Sequence, residues 1–113
     1  MNQRLTKKSD FEKVAKSGQS FFARELGIKI LRNNLKNNRY GIVVSLKIDK
    51  RAVVRNKIRR RIREIIRLNE KNFKQGFDVM ILTRESIKDL KYKEIEVKLF
   101  SLFKKAGLFS TRL

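Results

Sequence analysis

The eighteen residues from Lys50 to Arg67 carry nine basic side chains and one acidic one. Their spacing decides what that charge can do. Turned through about 100° per residue, as a helix would turn them, Val54, Ile58, Ile62 and Ile65 fall on one narrow stripe. Arg55, Asn56, Arg59, Arg60, Arg63 and Arg67 lie round the opposite side, and Lys50, Arg51 and Lys57 add charge near its start. The isoleucines would dock such a helix on a core and leave an arginine face in solvent. Like charges four residues apart, along Arg55, Arg59, Arg63 and Arg67, disfavour the isolated helix. Alternating lysine and glutamate would solubilise it better. Arginine instead presents a rigid fork that matches phosphate oxygens. The pattern serves the binding of a polyanionic backbone.

Anionic lipid is a weaker match, because the polar side carries few bulky apolar anchors such as tryptophan. Between nucleic acids, Asn56 is the one amide on the face, whereas a helix in the DNA major groove normally offers more base-reading side chains. A-form RNA is recognised by shape and phosphates, which suits arginines. Catalysis by the chain itself has little to work with. There is no histidine and no cysteine, which removes the usual general base, the commonest transition-metal ligand, disulfides and cysteine-based zinc sites. Asp10, Asp49, Asp78 and Asp89 are not spaced as a metal cluster, so no catalytic or metal-ligating residue is expected.

Thirty Lys and Arg against eleven Asp and Glu give the 113 residues a formal net charge of +19. A charge of that size repels itself unless a polyanion offsets it. The 41% hydrophobic fraction nevertheless suffices for a core, and the length fits one domain over residues 1–113. The stretch from Met1 to Ser9 is polar and basic, unlike a signal peptide. No apolar run approaches the roughly 20 residues of a membrane span. A cytoplasmic protein is expected.

The elements that must position the arginines follow from periodicity. Ser9 and Glu12 form a capping-box pattern for a short helix with Phe11, Val14 and Ala15 on one side, ended by Gly18. Phe21 to Leu31 alternates as a strand, with Leu26, Ile28 and Ile30 on one face and Gly27, Lys29 and Leu31 on the other. A polar loop from Asn33 to Asn38 leads to a second alternating run from Tyr40 to Ile48, suggesting a hairpin. The basic helix, over about Ala52 to Leu68, then precedes a strand from Phe77 to Thr83, which implies a crossover connection. Ser86 and Asp89 mark a short turn. A last helix from Tyr92 to Ala106 carries Ile95, Leu99, Leu102 and Phe103 on one stripe, with Gly107 as its cap. Asp78, inside a strand, is expected on the open face of the sheet. The sum is α/β, one small sheet with helices burying its apolar face.

The basic stretch resembles the signature of the bacterial ribonuclease P protein family in Ala52-Val53, Arg55-Asn56, Arg59-Arg60 and Arg63-Glu64. Gly41-Ile-Val-Val-Ser45 followed by Lys47 is similar to the strand that leads into that signature. Phe11 with Val14, the strand from Phe77 to Arg84 and the terminal Leu/Phe helix come in the family's order. The central motif is specific, and the resemblance spans nearly the whole chain.

The resemblance implies a two-layer sandwich like the ribosomal protein S5 domain 2-like fold, a small mixed sheet packed by helices, with the long basic helix in a βαβ crossover. It implies an RNA-binding cofactor of a ribonucleoprotein that removes the 5′ leader from precursor tRNA. Chemistry would belong to the RNA subunit and to Mg²⁺ bound mainly by that RNA and the substrate. The catalytic RNA would be held by Lys50, Arg51, Arg55, Asn56, Lys57, Arg59, Arg60, Arg63 and Arg67. The single-stranded leader would lie in a cleft between the first helix and the sheet, at Phe11, Ala15 and Lys29. A base could stack on Phe11, or that ring could simply pack its helix. Ala15 and Lys29 stand where the family often has further aromatics, and Lys50-Arg51 where Gly-Asn or a similar pair is common. Lys7, Lys8, Lys13, Lys16 and Arg84 would touch RNA peripherally. No membrane and no obligate protein partner is indicated. A structural or assembly protein of ribosomal RNA could use the same charge and fold, and only the signature separates the two.

Overall fold

A computed structural model describes residues 3–110. Over these residues the chain runs β1 (Gln3–Arg4), α1 (Lys8–Ser17), β2 (Gln19–Phe22), β3 (Leu26–Arg32), β4 (Arg39–Val43), α2 (Ala52–Asn69), β5 (Phe77–Thr83) and α3 (Tyr92–Lys105). One-turn 3₁₀ helices at Glu70–Asn72 and Glu85–Asp89 follow α2 and β5. The strands form a mixed sheet in the order β1-β4-β5-β3-β2. β1, β4 and β5 are parallel, whereas β3 runs antiparallel to β5 and to β2. The connection from β4 through α2 to β5 is the expected crossover between parallel neighbours.

Alternation sorts the sheet into two faces. Leu26, Ile28 and Ile30 of β3, Tyr40 and Ile42 of β4, and Val79 and Ile81 of β5 share one face. Onto it α2 brings Ile58, Ile62, Ile65 and Ile66, and α3 brings Ile95, Leu99, Leu102 and Phe103. This sheet and its α2–α3 layer are the two-layer sandwich. Helix α1 lies on the other face, where fully buried Val14 packs with Leu5 and Met80. β5 is buried on both sides, which is why so apolar a run occupies the centre of the sheet.

Several local expectations change. The run from Phe21 to Leu31 is a hairpin rather than one strand, because Ala23 N–H donates to Leu26 O at 2.8 Å and turns the chain at Arg24-Glu25. β3 and β4 do not pair, since β5 inserts between them. β4 ends at Val43, and the chain turns with Ile48 N–H on Ser45 O, leaving Leu46 66% exposed at the tip. Ser9 is not the cap: α1 begins at Lys8, two residues earlier than a Ser9 cap implies, with Lys7 at the cap position and no side-chain bond there. The short β1, pairing with β4 as Gln3↔Arg39 and Arg4↔Tyr40, has no sequence signal. Asp78 does face the α1 side, but it is buried rather than open.

Candidate RNA interface

The start of α2 is held by its own basic residues. Asp49 accepts the Arg51 backbone N–H at 2.8 Å and the Arg51 guanidinium at 3.0 and 2.9 Å. Chiefly through that side-chain bond, its carboxyl is held well below the usual carboxylate range. Arg55 Nη1 donates to the carbonyls of Asp49 and Lys50 at 3.0 and 2.8 Å. Arg59 donates through Nη2 to Val44 O at 3.1 Å and through Nη1 to Asn56 Oδ1 at 3.0 Å. Arg55 and Arg59 are accordingly half-buried and bind the helix to the segment that leaves β4, while Lys50, Arg51, Asn56 and Lys57 are exposed. The expected arginine face is therefore two things: a bracket at its first turns and a free surface beyond.

The free surface is richer than the helix alone. Arg60, Arg63 and Arg67, with Arg61 beside them, join Arg4 of β1, Glu64 and Tyr92 around an open groove of about 750 Å³. Arg63 is pulled below the ordinary arginine pKa by loss of water from part of its guanidinium and by the positive charges of Arg4 and Arg59. Arg67 pairs with Glu64 at 2.7 Å. A surface that crowds five guanidinium groups round a single carboxylate is stabilised when phosphates enter it. Arg4 and Arg61 were not among the expected contacts. Arg61 could have been found as the basic residue flanking the face, but Arg4 depends on β1.

On the other side of the sheet, α1 crosses from β4 towards β3. Phe11 lies over Gly41 of β4, so closely that a Cβ there would sit 2.5 Å from the ring. Lys29 Nζ on β3 donates to Ala15 O at 3.1 Å. Phe11, Ala15 and Lys29 are thus brought to one place. Phe11 is half-buried against the small core beneath α1, and Ala15 is exposed. Beyond α1 the next cross-strand row, Phe22–Gly27–Leu82–Val43, is only partly covered. Lys7, Lys8, Lys13 and Lys16 are exposed along α1 and its start, and Arg84 is exposed at the end of β5. The result is a partly covered apolar strip of the sheet beside α1, rimmed by basic side chains.

Among the described residues no group of three or more His, Cys, Asp or Glu side chains is gathered that could hold a metal ion. The described side chains therefore do not fit a protein-borne metal. No helix among the described residues is long and apolar enough to cross a membrane.

A mixed sheet carrying an arginine-rich helix on one face and a partly covered, basic-rimmed apolar strip on the other defines an RNA-binding α/β protein. The model of the Ribonuclease P family matches residues 1–107. The chain belongs to the ribonuclease P protein family, the RNA-binding, non-catalytic component of a ribonucleoprotein that assists 5′-leader removal from precursor tRNA. It is 39% identical over 108 residues to the ribonuclease P protein component of Clostridium botulinum (strain Langeland), covering 95% of this chain and 96% of that one. With the same component from Clostridioides difficile it shares 42% over 105 residues, covering 92% and 91%. The structure of the Staphylococcus aureus RNase P protein superposes with a TM-score of 0.87 at 31% identity, over 95% of this chain and 97% of that one. The RNase P protein from Thermotoga maritima gives 0.84 at 30%, over 91% and 96%.

Proposed function

We propose that α2 docks on the catalytic RNA subunit while the α1 side of the sheet holds the 5′ leader of precursor tRNA. The observation that carries this reading is that the two surfaces lie on opposite faces of one sheet. One small protein can then touch both RNAs at once without either displacing the other. Arg60, Arg63 and Arg67 with Lys57 contact phosphates of the RNA subunit. Arg55 and Arg59 hold the helix in place and present their remaining N–H groups, and Lys50, Arg51 and Asn56 extend the same edge. In the cleft, Phe11 offers a ring edge beside Ala15, and Lys29 a cation. Lys7, Lys8, Lys13, Lys16 and Arg84 act at the rim. Residues 1–113 act as a single RNA-binding unit in the cytoplasm, and Mg²⁺ is held mainly by the RNA subunit and substrate.

The test is cleavage of a 5′-extended precursor tRNA by purified bacterial ribonuclease P RNA at low Mg²⁺, with and without the protein. A strong protein-dependent gain, with no cleavage by protein alone, is expected. Phe11→Ala should weaken binding of leader-bearing precursor more than binding of mature tRNA. Equal losses for the two RNAs would remove the cleft from the reading. No gain, in a reaction that another ribonuclease P protein rescues, would point to ribosomal RNA as the partner.

A further inference from the structure

The cleft holds a second aromatic that the sequence pattern did not single out. Phe22, the last residue of β2, is 45% exposed, and its cross-strand partner is Gly27. A Cβ on Gly27 would run into the Phe22 ring, so the ring lies down over the glycine instead of standing off the sheet. The Arg84 guanidinium sits 5.1 Å from the ring centroid. Its backbone N–H is fixed to Glu25 O at 2.9 Å, which holds the end of β5 beside the β2–β3 turn. Phe22, Gly27, Leu82 and Val43 form one cross-strand row on the α1 face, two residues along from the row of Ser20, Lys29, Met80 and Gly41. Phe11 covers Gly41 in that neighbouring row.

We infer that Phe22 is a second base-stacking residue for the leader, with Arg84 as the cation that meets the adjoining phosphate. An exposed aromatic beside an arginine on a basic protein is the arrangement single-stranded nucleic acid uses, since every base has a π face and every linkage a charge. Gly27 lowers the floor so that the ring is presented flat. In the free protein Arg84 rests on that ring by cation–π attraction. Bound RNA gives the guanidinium a phosphate and the ring a base. The positions over Gly41 and Gly27 are two strands and two residues apart, about 12 Å by ordinary sheet spacing. A few extended nucleotides bridge that distance. The platform thus lies one cross-strand row beyond Lys29, towards the β2–β3 turn. The inference rests on the leader occupying this cleft.

The experiment measures binding of precursor tRNA by the reconstituted ribonucleoprotein, using a normal leader, a leader of abasic nucleotides, and mature tRNA. Phe22→Ala should weaken the normal precursor about tenfold, the scale of one lost stack, and leave the abasic precursor and mature tRNA nearly unchanged. Phe22→Tyr should retain normal binding. Arg84→Ala should weaken the normal and abasic precursors alike and reduce the salt dependence of both. Equal effects of Phe22→Ala on normal and abasic leaders would overturn the inference, as would none on either. Phe11→Ala, run in parallel, separates the two levels. A base-dependent loss there with none at Phe22 overturns only the platform, while no leader-specific loss at either ring overturns the cleft as well.

Discussion

Arg39 closes a two-point ion pair with Asp78, Nε at 2.8 Å and Nη2 at 2.6 Å, while its Nη1 reaches Asp10 of α1 at 3.2 Å. Asp78 also accepts Asn33 Nδ2 at 3.0 Å, and the arginine pKa is raised chiefly by its hydrogen bond to Asp78. The cluster ties the start of α1 to the adjacent strands β4 and β5. Asp78 is 5% exposed, so its removal leaves Arg39 without its main partner. Asp78→Ala is expected to cost about 3–5 kcal/mol, while the apolar pair Arg39→Met with Asp78→Leu recovers most of that loss. Asp10→Ala, at the longer and more exposed of the two contacts, should cost about 1 kcal/mol. Urea unfolding of the three variants checks the order, and equal costs at Asp78 and Asp10 would contradict it.

Gly41 sets the height of Phe11 above the sheet. A methyl group at that position meets the ring at 2.5 Å and Leu5 Cβ at 3.3 Å, so α1 must shift outward. Gly41→Ala should cost about 1–3 kcal/mol by overpacking. It should also reduce the preference for leader-bearing over mature tRNA, because the first stacking ring is displaced. Unchanged discrimination, measured where the variant is fully folded, would detach Phe11 from the leader.

Long-period features were legible in the sequence, and pairings were not. The stripe Val54, Ile58, Ile62, Ile65 predicted both the extent of α2 and its buried side, because one helix face contains its own periodicity. The order of strands depends on which run is buried twice, and a short apolar run such as β5 does not show in sequence whether one of its faces is covered or both. The hairpin of β2 and β3 was hidden because the alternation carries straight through Arg24-Glu25. Phe11, Ala15 and Lys29, which the family resemblance groups, lie together on the α1 side of the sheet, a proximity no local spacing encodes. Phe22 and Arg84 meet only through the register of three strands, which no local spacing reveals. Arg55 and Arg59 show the opposite effect: their type suggested phosphate contacts, while the carbonyls they also serve appear only in three dimensions.

Tyr40 gives the fold an alkaline limit. Burial pushes its phenol up to about 12, and its hydroxyl accepts Asn38 Nδ2 at 2.8 Å. A folded pKa above the unfolded value near 10 means the contribution is full below about pH 10 and is lost as pH rises towards 12. About 2–3 kcal/mol should disappear across that window, following 1.36 kcal/mol per unit. Tyr40→Phe removes this titration at the cost of one hydrogen bond, about 1 kcal/mol at neutral pH. Comparing the two proteins from pH 9 to 12 isolates the phenol from lysine deprotonation, which both share. Parallel stability curves would show that Tyr40 ionises without unfolding the chain.

Arg59 and Arg60 are neighbours in the signature with different duties, and salt dependence separates them. Arg60 projects into the guanidinium-lined groove, whereas Arg59 spends two of its N–H groups on Val44 O and Asn56. Each phosphate contact to duplex RNA contributes about 0.9 to the log–log salt slope, by analogy with B-DNA. Arg60→Ala should therefore lower the slope for the RNA subunit by about one unit with a stability change within about 0.5 kcal/mol. Arg59→Ala should cost about 1.5–3 kcal/mol of stability through its charged hydrogen bonds. Arg59→Lys restores the charge without the fork, so it should recover part of the RNA affinity but little of the stability. Isothermal binding at several salt concentrations, beside thermal unfolding, reads both quantities. If Arg59→Ala changed the slope as Arg60→Ala does and left stability intact, the bracket at the start of α2 would be a phosphate contact alone.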